Sequence, residues 1–359
     1  MTPLRVGSTR DLGPQFVDNP HGMIGQDGAF SIPMGKETLW YFGDTLFGER
    51  VPGESLWYPG GVAVGHADMT GRGSILRMLN NTGLILSDAD GRNGLREFRY
   101  ICDAGGKPRT LLPLAPDEDP DWTRIWCLHG IALGGKLILW FVKVRMLAEG
   151  PFPVNFEIVG SGMALGESTS FQFRRVVRNG SSILWKGDEP HFAAAAIHDE
   201  ATGFVYLYGA LQDAGGSQSA YLARVWGSAV GDPGAYEYLN SLAPEWGKNP
   251  LAAVPVFEGM PNELSVSYND HLRSYLAVHS YLLSGDIVAR TAPAPWGPWS
   301  DPVVLWHVDP ARPRPLPYPP LVYAGKEHPE LSRDGGKVVY LTYIEFEEYY
   351  PHLVEVTLV

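Results

Sequence analysis

The chain has 359 residues, 45% hydrophobic and 19% charged, a globular balance and long enough to bury a large core. Its formal net charge of −12 argues against a nucleic-acid partner, which would need basic stripes, and is otherwise explained by solubility alone. Nothing approaches the ~18 apolar residues of a membrane span. Met1-Thr2-Pro3-Leu4-Arg5 lacks the apolar run of a signal peptide, so the protein is expected to be soluble and cytoplasmic as written, and secreted if a leader was trimmed.

The 42 Gly, 30 Pro, 11 Trp and 17 Tyr predict many short strands joined by many turns. Five segments repeat one hairpin: 26–45, 126–144, 191–212, 262–279 and 323–345. Their turns fall at Gly35-Lys36, Gly134-Gly135, Thr202-Gly203, Asn269-Asp270 and Asp334-Gly335. Further strand-like runs follow at Val62-Ala63-Val64, Gly162-Met163-Ala164-Leu165, Ala220-Tyr221-Leu222-Ala223 and Ile287-Val288-Ala289-Arg290. No amphipathic helix is evident. The expected architecture is all-β, a five-bladed β-propeller occupying 1–359 as one domain, with a meander β-sandwich as the alternative. The hairpins start 100, 65, 71 and 61 residues apart, and the long first interval is assigned to an exposed acidic loop, Asp117-Glu118-Asp119-Pro120-Asp121. Leu353 to Val359 ends the chain on a strand, and the N-terminal segment is placed as an outer strand closing the ring. The two cysteines, Cys102 and Cys127, allow one disulfide, and no Cys/His cluster has zinc spacing.

Residues equidistant from a hairpin turn are neighbours. Asp27 lies eight positions before Gly35 and Asp44 eight after Lys36, so both carboxylates belong at one mouth of the central channel. The plainer reading makes each a turn cap. The other hairpins begin with Trp126 and His129, with His191, with Asn262 and Glu263, and with His328 and Glu330; the fourth ends at His279. Such a polar ring reads as a ligand funnel, although each His alone is more often structural, and Glu263 has a solvent-facing alternative. Trp296-Gly297-Pro298-Trp299 reads as a structural corner between outer strands.

Leu39-Trp40-Tyr41-Phe42-Gly43-Asp44-Thr45, with Asp27 in the preceding strand, resembles an uncharacterised-domain family of five-bladed propellers, some of whose members are endo-D-arabinanases. That family is related in architecture to the arabinanase, β-xylosidase and β-fructosidase superfamily. Pro261-Asn262-Glu263-Leu264-Ser265-Val266, followed by Ala292 to Trp299, is similar to the group's fourth-blade pattern. The resemblance implies glycoside hydrolysis in the funnel, with a first-strand aspartate and a fourth-blade glutamate as catalytic groups.

Glycoside cleavage needs one carboxylic acid to protonate the leaving oxygen and a second carboxylate to activate water or attack the anomeric carbon. The expectation is Asp27 as base or nucleophile, Asp44 as its charge-tuning neighbour, and Glu263 as general acid. Trp57, Tyr58, Trp126, His129, His191, Asn262, His279, Arg290, His328 and Glu330 are expected to bind the sugar, an oligo- or polysaccharide containing furanose or pentose units. No cofactor is required; calcium or another channel ion held through water by His129 or His328 is an alternative. So are a non-catalytic glycan-binding propeller and a metal-dependent lactonase-like hydrolase.

Overall fold

Each of the five apolar hairpins forms an antiparallel pair at the start of a sheet. The computed structural model describes residues 4–65, 69–71, 73–149, 155–213, 216–309 and 316–359; within these every regular element is a strand or a single 3₁₀ turn. No helix among them is long and apolar enough to cross a membrane.

Strand β1 (Val6–Pro14) precedes the first hairpin. The inner strand of that hairpin is broken into β2 (Met23–Gln26) and β3 (Phe30–Met34), and its return strand into β4 (Glu37–Phe42) and β5 (Thr45–Gly48). Above the break, β2 and β5 continue outward to β6 (Ile75–Leu79); below it, β3 and β4 continue to β7 (Thr82–Leu86) and β8 (Phe98–Tyr100). The second sheet runs β9 (Thr123–Leu133), β10 (Lys136–Met146), β11 (Phe156–Glu167) and β12 (Phe173–Arg175), with β13 (Trp185–Lys186) also on β11. The third runs β14 (His191–Asp199), β15 (Phe204–Gln212), β16 (Gln218–Trp226), β17 (Glu237–Ser241) and β18 (Glu245–Gly247), with β19 (Pro255–Glu258) returning to β16. The fourth is β20 (Ser265–Asn269), β21 (Ser274–Ser280), β22 (Asp286–Ala292) and β23 (Val303–His307). The last is β24 (Val322–Glu327), β25 (Val338–Glu345) and β26 (Pro351–Leu358), and β1 pairs with β26 as its outermost strand. The N-terminal segment thus joins the C-terminal sheet, as expected.

The residue choices follow the packing. Second strands are buried on both faces and read as continuous apolar runs, as in Leu137-Ile138-Leu139-Trp140-Phe141-Val142 of β10, all at most 1% exposed. Inner strands crowd together and use small side chains: Ala193 to Ala196 of β14 are at most 3% exposed. The cores lie between neighbouring sheets; the largest joins the first three.

Three expectations are corrected. Val62 to Val64 form no strand; the outward path runs through β6 and β7, and Val64 packs instead with Leu56 and Trp57. Cys102 and Cys127 are both free thiols, Cys127 lying in the core. Glu118 of the acidic loop points inward: its side chain is 4% exposed and pairs with Arg175 at 2.7 Å and Lys143 at 3.0 Å.

Candidate functional site

The first hairpin keeps its register through the break. Pairings such as Phe30 with Tyr41 and Gln26 with Thr45 place Asp27 opposite Asp44. The Asp27 N–H donates to the Asp44 carbonyl at 3.1 Å, and the Gly43 N–H to the Asp27 carbonyl at 2.9 Å. Gly28 (φ +82°) and Ala29 (φ +75°) lie in the left-handed region, a strain tolerated for a non-glycine residue mostly where a site demands it. Gly25 is also required: a Cβ there would sit 2.9 Å from the Tyr349 ring.

A cavity of about 240 Å³ opens at this break. Asp27, Asp44 and Glu263 all line it, together with Trp57, Arg124, Trp126, Asn262, Tyr323 and Tyr349, while Val64, Met69, Met146, Phe156, Leu283, Leu321 and Phe346 form apolar walls. Glu263 comes from the segment leading into β20, so the carboxyls arrive from the first hairpin and from the approach to the fourth.

Each carboxyl has a distinct environment. Burial raises Asp27, opposed by the Tyr323 hydroxyl, which donates to Oδ1 at 2.6 Å, by the Lys326 ammonium, by the Gly28 N–H and by the Tyr349 hydroxyl facing it. Burial pushes Asp44 up to about 7 against the pull of Arg124, whose Nε lies 3.7 Å from Oδ2; the charge on Asp27 adds to the rise. Burial likewise pushes Glu263 up to about 7, opposed by Lys326 and reinforced by Asp27. Burial thus raises all three carboxyls, Asp44 and Glu263 to about 7, while the hydrogen bonds and the Lys326 ammonium around Asp27 oppose its rise. Burial and neighbouring charges set such acid and base roles apart.

Four buried polar atoms on the cavity wall, Asp44 Oδ1, Arg124 Nε and Nη2, and Trp126 Nε1, make no hydrogen bond within 3.5 Å, although the Trp126 N–H faces the Asp44 carboxyl and helps to lower it. Unpaired buried polar groups are rare and each calls for a reason. Here they cluster around one cavity.

The other expected sugar contacts divide. Trp57, Trp126 and Asn262 line the cavity, Trp57 held by a 2.7 Å bond from Nε1 to the Phe346 carbonyl. Tyr58, His129, His191, His279, Arg290, His328 and Glu330 do not. Tyr58 packs on Tyr318 with ring centroids 5.6 Å apart, and His191 lies 3.2 Å from the Gly187 carbonyl. His279 is fully buried, stacks on Phe257 and lies 2.7 Å from the Ser280 carbonyl. Arg290 donates to the carbonyls of Glu258 and Ser300 in a separate groove beside Trp299. His328 stacks on Trp40, its ring nitrogens 2.6 Å from Ser31 Oγ and 2.7 Å from Thr342 Oγ1, with Glu330 3.7 Å away and His129 edge-on to Phe30. Imidazoles near the strand ends therefore serve as packing between sheets. Among the described residues, no cluster of three or more His, Cys, Asp or Glu is arranged to hold a metal ion.

Sequence reasoning missed Arg124, Tyr323, Lys326 and Tyr349. Arg124 lies two residues before Trp126 on the same face of β9 and was legible by alternation. Tyr323 and Lys326 were not. Three apart, they would face opposite ways in a regular strand, but one extra residue between them, with Ala324 at φ +58°, brings them into phase.

The family model described as domain of unknown function DUF4185 matches residues 13–355. The chain belongs to this family. No curated protein sequence matches this DUF4185 domain. Its fold is similar to a Bacteroides ovatus ATCC 8483 protein provisionally described as a hydrolase (15% identity, 94% of this chain and 87% of that one, TM-score 0.64). It is also similar to Zg3597 of Zobellia galactanivorans, a family 117 glycoside hydrolase (10%, 98% and 90%, 0.54), and to a GH43_1 enzyme of Xanthomonas citri (14%, 99% and 91%, 0.50). At such identities the likeness is one of fold: the DUF4185 domain has the all-β architecture of propeller glycoside hydrolases.

Proposed function

We propose that this DUF4185 domain is a glycoside hydrolase acting on a furanoside- or pentose-containing glycan, its six sheets, two of them sharing the broken first hairpin, arranged as the five blades of a propeller around the cavity. The observation that carries the reading is the convergence of Asp27 and Asp44 of the first hairpin and Glu263 of the approach to the fourth on one cavity whose wall presents unpartnered polar atoms. Glu263 is the general acid. Burial raises its carboxyl to about 7, so it can carry a proton close to neutrality and give it to the leaving oxygen as the glycosidic C–O bond breaks. Asp27, held by Tyr323, takes a proton from the attacking water or bonds to the anomeric carbon. Asp44, beside Asp27 and paired with Arg124, sets the local charge and offers Oδ1 to a sugar hydroxyl. Trp126 and Trp57 supply aromatic surface for the sugar ring.

Arabinan, fructan, xylan and aryl furanosides, offered to the wild type and to Asp27→Asn, test the reading. Turnover of at least one substrate that collapses in the variant is expected. Turnover surviving intact in Asp27→Asn removes that residue from the mechanism; binding without turnover favours a glycan-binding domain.

A further inference from the structure

Lys326 is buried, 2% exposed, behind the cavity wall. Its Nζ donates to the carbonyl of Gly28 at 3.1 Å and of Ala324 at 2.6 Å, and it lies 4.2 Å over the Phe30 ring. The first carbonyl belongs to the left-handed break that carries Asp27; the second belongs to the left-handed bulge that carries Tyr323. One side chain therefore ties together the two irregular segments whose residues meet in the 2.6 Å Tyr323–Asp27 bond. Two neutral carbonyls do not require a charged donor, and burying an ammonium is costly unless charge answers it. No carboxylate is in ion-pair contact with Lys326 among the described residues, but Asp27 and Glu263 both act on it at longer range.

We propose that Lys326 is a positioning residue of the reaction: it locks the break that presents Asp27 and supplies one counter-charge shared by Asp27 and Glu263. The inference rests on the glycosidase reading. In that chemistry Glu263 loses a proton to the leaving oxygen, while Asp27 gains one from water or forms a bond to carbon. Negative charge passes from Asp27 to Glu263 and the total stays constant. A cation facing both answers the charge before and after the step. Burial lowers Lys326 to about 8, opposed by the fields of Glu263 and Asp27, so it remains an ammonium at neutral pH. The other titratable groups around it are His129 and His328, both lowered by burial, with Glu330 beside His328. Asp27 in turn faces Asp44, Glu263, Tyr323 and Tyr349.

Lys326→Met keeps the stem on Phe30 and removes the charge; Lys326→Gln also keeps a donor. With a turned-over glycan, both are expected to lose about tenfold or more in kcat with little change in KM, and to move the acid limb of the pH profile upward by about one unit, the size of one lost charge interaction. Carboxyl 13C NMR titration of the substrate-free protein should show Asp27 titrating higher in both variants. This arm needs no turnover: if no glycan is cleaved but Asp27 shifts, the hydrolase reading fails and the hold of Lys326 on Asp27 stands. An unmoved Asp27 titration, or a wild-type profile in Lys326→Gln, overturns the proposal. Should neither variant fold, the wild-type Lys326 13Cε titration decides: an ammonium at pH 7 is expected, and a neutral amine there refutes it.

Discussion

Asp44 is expected to make the stability of the fold depend on pH. The residue is 8% exposed, and its carboxyl rises from 3.8 to about 7 on folding. A carboxyl raised in the folded state holds its proton more tightly there than in the unfolded chain. The stability it contributes is intact below the unfolded value and is lost as pH climbs through about 7. A shift of about three units at about 1.36 kcal/mol each sets an upper limit of ~4 kcal/mol between pH 4 and pH 8. Asp44→Asn removes the titration. It also leaves Arg124 without its partner, but that penalty is present at every pH and cancels from the difference between the two pH values. Urea unfolding of both proteins at pH 4 and pH 8 is therefore expected to show the variant gaining on the wild type by a few kcal/mol as pH rises. An equal difference at both pH values, or a variant that loses ground toward pH 8, would refute the buried, proton-holding carboxyl.

Glu263→Gln removes the proposed proton donor. Its kcat/KM on an unactivated glycan should fall by about 10²–10⁴, with a much smaller loss on a nitrophenyl glycoside whose leaving group needs no protonation; equal losses on both would deny it the acid role. Glu118→Ala removes the carboxylate that Arg175 and the partly exposed Lys143 share and is expected to destabilise the protein by about 1.5–3 kcal/mol at pH 7, seen in thermal unfolding. Because those cations hold Glu118 down to about 2, its contribution is present above the ordinary glutamate range and fades as pH falls through about 2. The gap between variant and wild type should therefore narrow in acid.

Periodicity made the five hairpins legible, because an apolar run, a glycine turn and a second apolar run admit few other structures. Symmetry about the Gly35-Lys36 turn placed Asp27 opposite Asp44, and it did so because the break at Gly28-Ala29 bends the hairpin without shifting its register. The same reasoning failed for His279: placed at the funnel by its position at the end of the fourth hairpin, it instead packs on Phe257. Position along a strand says which end a residue occupies, whereas the face it takes depends on twist and bulges. The bulges were the hidden element. An extra residue in β24 turned Lys326 toward Asp27, and nothing in Tyr323-Ala324-Gly325-Lys326 marks where the alternation slips. Glu118 misled for a related reason: a run of acidic residues reads as solvated, and the arginine and lysine that draw one of them inward lie 57 and 25 residues away.

The central claim is that the carboxyls around this cavity cut a glycosidic bond with water. Digestion of a glycan in H₂¹⁸O, followed by mass spectrometry of the products, tests it directly. One ¹⁸O at each new reducing end with the wild type, and no product with Asp27→Asn, is the predicted result. Intact glycan with both proteins across the furanoside and pentose substrates, or labelled product at equal rates from both, would contradict it.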